Sequence, residues 1–192
     1  MWRSFATAIG LLLLLAACDG SGPKFKNIDI TGAEYARGFA LTDHAGKPRT
    51  LEDFRGKVVV VFFGYTRCPD VCPTTMVELK QVMQALDPEA DKVQVLFVTL
   101  DPARDTAAVL SQYVPAFDTR FLGLYGDPAA TLKTAKEFKV FFEKRPSENP
   151  DAYTVDHTAA SYVFDPAGRV RLYVKHDQIG TLVEDIRTLL KG

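Results

Sequence analysis

Cysteine is scarce in this chain and histidine equally so, with three of each among 192 residues. That excludes a four-sulfur metal site, and the Cys-x-x-Cys spacing of common redox motifs is absent as well. Charge of one sign is also missing. Lys and Arg total 23 against 24 Asp and Glu, a formal net charge of -1 with no long run of either sign, so the chain lacks the basic footprint of a nucleic-acid binder. There is no internal repeat, and no apolar run reaches the roughly 20 residues of an ordinary membrane-spanning helix. What remains is 47% hydrophobic, enough in a chain of this length for one domain with a substantial core.

The longest apolar stretch opens the chain. Arg3 supplies a small positive region, Ala8 to Leu15 an apolar one, and Leu15-Ala16-Ala17 leads into Cys18, the layout of a secretory leader. The Leu-Ala-Ala-Cys ending resembles the lipobox of bacterial lipoproteins, in which cleavage precedes a cysteine that carries a diacylglycerol. Asp19 resembles the signal that retains such proteins in the inner membrane of Gram-negative bacteria. The expectation is a signal peptide over residues 1–17, a lipid-anchored N-terminus and tether over 18–34, and a domain over 35–192. Cys18 would be the lipidated residue of an inner-membrane lipoprotein facing the periplasm. The alternative is an ordinary signal peptide with an incidental cysteine, which exports the chain too.

Setting Cys18 aside leaves Cys68 and Cys72 as an isolated pair in an oxidising compartment. They stand in Gly64-Tyr-Thr-Arg-Cys-Pro-Asp-Val-Cys-Pro73, directly after the apolar run of residues 57–63. This predicts two thiols at the C-terminal end of a buried strand, where a helix begins. Open α/β sheets bind ligands at that end, and a helix N-terminus favours thiolate over thiol. A disulfide closing so short a loop removes little unfolded-chain entropy, so chemistry explains the pair better than stapling does. If the first helical turn includes both cysteines, their four-residue offset places them on one face, able to form a disulfide or to chelate one ion.

The rest of the chain reads as alternating strands and helices. Residues 38–43 and 49–51 flank His44-Ala-Gly-Lys47 as a hairpin, 92–100 form a second central strand, and 121–125 a short one. Helices are expected from Pro73 to Leu86 with Met76, Leu79, Val82, Met83 and Leu86 inward, from Asp105-Thr106 to Tyr113, and from Asp127-Pro128 to Phe138. Residues 140–142 read as the start of a further strand, 143–151 as a polar, Pro-rich mobile loop, and 161–164 pairs with 169–174 across Asp165-Pro-Ala-Gly168. Thr181 to Leu190 closes the chain as an amphipathic helix. The order βαβ then ββα is that of a thioredoxin-like core.

Two thiolates are soft donors that select Cu(I) or zinc over magnesium or calcium. The histidines available as a third ligand are His44, His157 and His176. His44 falls in the hairpin turn and His176 in a polar turn, where a solvated ring is the plain expectation. His157 follows the loop, which could swing it over the thiols.

The segments Gly64-Tyr-Thr-Arg-Cys-Pro-Asp-Val-Cys-Pro73, Leu100-Asp-Pro-Ala-Arg-Asp-Thr106 and Val155-Asp-His-Thr158 together resemble the three signature segments of the Sco/SenC family of copper proteins, in the right order over about residues 35–192. The resemblance implies an α/β, thioredoxin-like fold: a central mixed β-sheet flanked by helices, with an N-terminal β-hairpin extension and a long loop carrying the histidine. It implies copper, Cu(I) or Cu(II), held by Cys68, Cys72 and His157. The implied partner is the CuA-bearing subunit of cytochrome c oxidase or another periplasmic copper acceptor, with no nucleic acid. Arg67 stands where some members have histidine, a change that adds positive charge beside the thiols. Asp101 and Asp156 match acidic positions of the family pattern, as outer-shell, structural or partner-recognition residues.

Two functions from different classes follow. The first is a copper chaperone that helps assemble CuA. The second is a thiol-disulfide oxidoreductase that reduces the acceptor's cysteines, with Cys68 as nucleophile and Cys72 resolving. A peroxiredoxin-like activity is disfavoured, because that motif places threonine and proline ahead of its cysteine and here Pro69 follows Cys68.

Overall fold

The computed structural model describes residues 23–149 and 152–192. The leader, Cys18 and Asp19 lie outside the described residues.

The centre of the molecule is set by two apolar runs. Strands β4 (Val58–Gly64) and β5 (Val93–Thr99) are buried along their whole lengths and pair in parallel, as continuous apolar strands covered on both faces do. Around them the chain builds an eight-stranded mixed sheet. Its remaining strands are β1 (Ile28–Asp29), β2 (Ala40–Asp43), β3 (Pro48–Thr50), β6 (Leu122–Tyr125), β9 (Ala160–Phe164) and β10 (Val170–Lys175), in the order β1-β10-β9-β4-β5-β6-β2-β3. Helices α1 (Val71–Ala85), α2 (Ala107–Tyr113) and α4 (Leu182–Lys191) cover one face, where Val60 and Phe62 meet Met76, Leu79, Met83, Leu110 and Ile186. Helix α3 (Pro128–Glu137) covers the other, where Val61 and Phe63 meet Ala135, Phe138 and Tyr162. This is the thioredoxin-like α/β arrangement expected, with the β2–β3 hairpin added at the sheet edge through β6.

Three local expectations change. Residues 25–34, assigned to the tether, belong to the folded body: β1 pairs with β10, and Asn27 is buried with its backbone and side-chain N–H groups donating to Asp185 at 3.0 and 2.7 Å. The segment read as a mobile loop from residue 143 starts as strand β7 (Phe142–Arg145), which pairs with β8 (Thr154–His157) in a separate antiparallel ribbon. The polar composition that suggested a loop is the outer face of that ribbon, where Arg145 pairs with Asp156 at 2.7 Å. His157 is therefore a strand residue at the ribbon's base. Finally, α2 starts at Ala107 with Thr106 as its cap, its hydroxyl accepting from the Val109 N–H, while Asp105 turns into the core.

Candidate metal centre

Strand pairing alone assembles the site. The chain leaves β4 at Gly64 and enters a turn at Thr66-Arg67 before α1, so Cys68 and Cys72 emerge at the strand's C-terminal end. Strand β9 runs antiparallel to β4 with Ser161 opposite Phe62, which brings the start of β9 beside the end of β4. The residue three places before β9 must then arrive over the cysteines, and it is His157. Among the described residues, one group of potential metal donors forms: the Cys68 and Cys72 sulfurs and a His157 ring nitrogen, all within 4.8 Å of one another.

The two sulfurs are not equivalent. Helix α1 begins at Val71, so Cys72 lies in its first turn and is fully buried, whereas Cys68 precedes the helix and is half-buried. The shared-face geometry expected of two helical cysteines is replaced by a cap: the Cys72 N–H points at the Cys68 sulfur at 3.5 Å. Pro73 fits this first turn because no intrahelical hydrogen bond is lost there. The Cys72 thiol, donating to the Cys68 sulfur, is the largest cause holding the Cys68 thiol down at about 3; His157 and the backbone N–H groups of Asp70 and Cys72 add to this against the effect of burial. The same contact, then burial, pushes Cys72 well above the ordinary thiol range. The contact thus favours a thiolate on Cys68 and a thiol on Cys72, which titrate together as a pair.

His157 presents a defined nitrogen. Its Nδ1 lies 3.1 Å from the Thr158 carbonyl oxygen and its Nε2 lies 3.5 Å from the Cys72 sulfur. A carbonyl only accepts, so Nδ1 carries a hydrogen and Nε2 is the ring nitrogen turned to the thiols, the orientation a ligating histidine needs. The Tyr65 ring stands edge-on to the imidazole, centroids 5.9 Å apart at 85°. Burial first, and then the two nearby sulfurs, raise the Tyr65 phenol.

The other histidines stay outside this group. His44 is not the solvated ring expected: it is half-buried, and its Nδ1 accepts from the Gly123 N–H at 3.0 Å, joining the hairpin turn to β6. His176 is exposed in the short helical turn His176–Thr181. Asp156 faces solvent on the outer side of the ribbon, because neighbours on a strand alternate and His157 takes the inner side. Asp101 is fully buried one layer out, accepting from the Tyr153 hydroxyl at 2.7 Å and pairing with Arg104.

Sequence reasoning missed Gly64 and Asp105. A Cβ built on Gly64 would sit 2.8 Å from the Cys72 sulfur and 3.1 Å from the Phe97 ring, so the absent side chain is the space Cys72 occupies. Asp105 accepts from the Thr66 N–H at 3.0 Å and from the Thr66 and Thr99 hydroxyls at 2.5 and 2.6 Å. It ties the cysteine turn to the end of β5. Both residues stand within the signature segments, but a glycine before a turn and an aspartate before a helix have commoner uses.

The SCO1/SenC family model matches residues 29–191. The chain is 38% identical over 152 residues to the mitochondrial SCO2 homolog of Mus musculus, covering 78% of this chain and 60% of that one. It is 31% identical over 155 residues to the SCO2-like protein of Rickettsia felis, covering 80% and 74%. The matched stretch thus spans little more than half of the mammalian relative. Among solved structures, copper-bound ScoI of Bradyrhizobium japonicum superposes with a TM-score of 0.73 at 40% identity, over 80% of this chain and 98% of that one. Apo Sco1 of Thermus thermophilus gives 0.78 at 40% identity, over 89% and 100%.

Proposed function

This chain belongs to the SCO1/SenC family, and from that membership and the site geometry we propose that it is a copper chaperone that supplies the CuA centre of cytochrome c oxidase or another periplasmic copper acceptor. Copper is the cargo. Cys68 and Cys72 hold it as thiolates and the His157 Nε2 completes a two-sulfur, one-nitrogen set, soft enough for Cu(I) and usable by Cu(II). The observation that carries the reading is the convergence of these three donors at the end of the buried strand. The relative solved with copper bound, 40% identical, supports it. Delivery then proceeds by ligand exchange with an acceptor's cysteines and histidines at the half-buried Cys68 side.

The test is a copper titration of the reduced domain beginning at residue 24, followed by absorption and electron paramagnetic resonance. One equivalent should bind tightly, with a Cu(II)–thiolate charge-transfer band that changes in His157→Ala. No stoichiometric copper, or a spectrum indifferent to His157, sinks the proposal.

The asymmetry of the thiols favours a second reading, thiol-disulfide reductase. The Cys68 thiolate would attack an acceptor disulfide and form a mixed disulfide as one acceptor thiolate leaves. Cys72, losing its proton to that thiolate, would then attack the Cys68 sulfur and release the second acceptor sulfur, leaving Cys68–Cys72 oxidised. Each turnover consumes the pair's two electrons, so a thiol reductant must restore it.

We also propose that the chain is an inner-membrane lipoprotein with residues 1–17 removed, Cys18 lipidated, the segment up to the folded body acting as a tether, and the domain facing the periplasm. The Leu15-Ala-Ala-Cys18-Asp19 sequence supports this, and among the described residues no helix is long and apolar enough to cross a membrane. Globomycin should block maturation, and mature protein should resist salt washing. Maturation unaffected by the drug refutes the lipid anchor.

A further inference from the structure

The ribbon that carries His157 is held to the body by a polar cluster remote from the donor atoms. The hydrogen bonds at the ribbon's base run within the ribbon itself: the Thr158 N–H donates to the Phe141 carbonyl at 3.0 Å, and the Phe141 N–H to the Thr158 hydroxyl at 3.1 Å. They set its hairpin form, while Val155, buried in the core, and Phe142, packed against it, seat the middle of the ribbon on the body. At the other end of β8, Tyr153 is gripped from the β5–α2 loop in three ways. Its hydroxyl donates to Asp101 at 2.7 Å, its carbonyl accepts from Arg104 Nη1 at 2.9 Å, and the Arg104 guanidinium lies 3.4 Å from its ring centroid. Lys144 of the paired strand adds a contact to Asp101 at 3.8 Å.

Arg104 joins these groups to the site. Its Nε donates to Asp101 at 2.5 Å, and its guanidinium stands 5.9 Å from the Tyr65 ring, which is itself edge-on to His157. The Arg104 side chain is only 10% exposed and that of Asp101 is fully buried, so the pair is shielded from the screening that makes surface ion pairs weak. A planar fork can donate to a carboxylate and a carbonyl while stacking on a ring. An ammonium can do only part of that.

We propose that Arg104 is a positioning residue which, with Asp101 and Tyr153, latches the β7–β8 ribbon down and so fixes His157 over the thiols. The two cysteines sit on the rigid β4–α1 junction and do not depend on the latch. Loosening it therefore lifts one donor out of three. The bound ion goes from three-coordinate to two-coordinate without disturbing the sulfurs, which is the step a transfer to incoming ligands needs.

The inference rests on the copper reading for its consequence, and its test separates the two. Arg104→Met, Arg104→Lys and Tyr153→Phe are compared with wild type in two measurements: amide hydrogen exchange of residues 154–157 in the metal-free protein, and the rate at which bicinchoninate removes Cu(I). Arg104→Met should speed both by about tenfold, the fold-change expected on losing a charge-assisted hydrogen bond. Arg104→Lys should recover part of each effect. Tyr153→Phe, which deletes one oxygen and keeps the ring stack, should speed both by a smaller factor and covers the case in which Arg104→Met fails to fold. Exchange and copper loss within about twofold of wild type in the Arg104→Met and Tyr153→Phe variants that fold overturn the latch. If wild type takes up no copper, the functional reading falls while the exchange comparison still decides the latch.

Discussion

Replacing Cys72 by serine should lower copper affinity by more than about 100-fold, beyond the 10–100-fold typical of outer-shell substitutions at metal sites. A neutral hydroxyl is a hard, weak donor for a soft ion, and it does not ionise to replace the thiolate. The fold should survive. Cys72 is fully buried against a close-packed shell that includes Gly64, and a serine hydroxyl is smaller and can donate to the Cys68 sulfur as the thiol now does. Competition with a Cu(I) chelator measures the affinity, and a thermal melt checks the fold. An affinity within about threefold of wild type would remove Cys72 from the ligand set. The same variant separates the two functional readings. It leaves Cys68 without its resolving partner, so a reductase would accumulate a trapped mixed disulfide with its acceptor and a chaperone would not.

Asp105→Ala should destabilise the domain by about 3 kcal/mol or more, since three donors lose their acceptor and each buried orphan costs about 1–3 kcal/mol. The donors are the Thr66 N–H and hydroxyl and the Thr99 hydroxyl, so damage should concentrate in the cysteine turn. Asp105→Asn should be milder, because an amide oxygen can still accept and the threonine hydroxyls can reverse. The pH dependence has a definite sign. Burial is the largest cause acting on Asp105 and raises its pKa above the unfolded value of 3.8. The folded state thus holds the proton more tightly than the unfolded one. The resulting stability is fully present below the unfolded pKa and is lost as pH rises through the raised folded value. Urea denaturation of the wild type and Asp105→Asn across acidic pH should show this slope in the difference between them, since carboxylates held low such as Asp43, Asp118 and Asp165 titrate alike in both. An Asp105→Ala domain as stable as wild type would show that the carboxylate is not holding the turn.

Most of the fold is legible in local pattern. The 57–63 and 92–100 runs form buried parallel strands within a residue or two of their expected limits, and the five apolar positions expected inward on α1 are buried. Period and composition carry such information locally. The failures share a cause. Residues 143–145 read as loop because charged residues dominate them, yet a two-stranded ribbon with one solvated face needs few apolar residues. Asp105 read with Thr106 as the start of a helix, which Thr106 caps, and only the approach of Thr66 and Thr99 gives the Asp105 carboxylate a reason to turn inward.

The sequence by itself determined the exposed strand end, the paired soft donors at its edge and the short list of histidines, because these depend on neighbours in the chain. It could not choose among the histidines from spacing. Tertiary structure decided that, through the antiparallel register of β9 on β4, which carries a residue 85 positions from Cys72 to within 3.5 Å of its sulfur. The inequality of the two thiols likewise waited on where α1 begins, one residue before Cys72 and three after Cys68. Burial, proton sharing and the aim of a ring nitrogen belong to contacts between distant segments, and no local pattern records them.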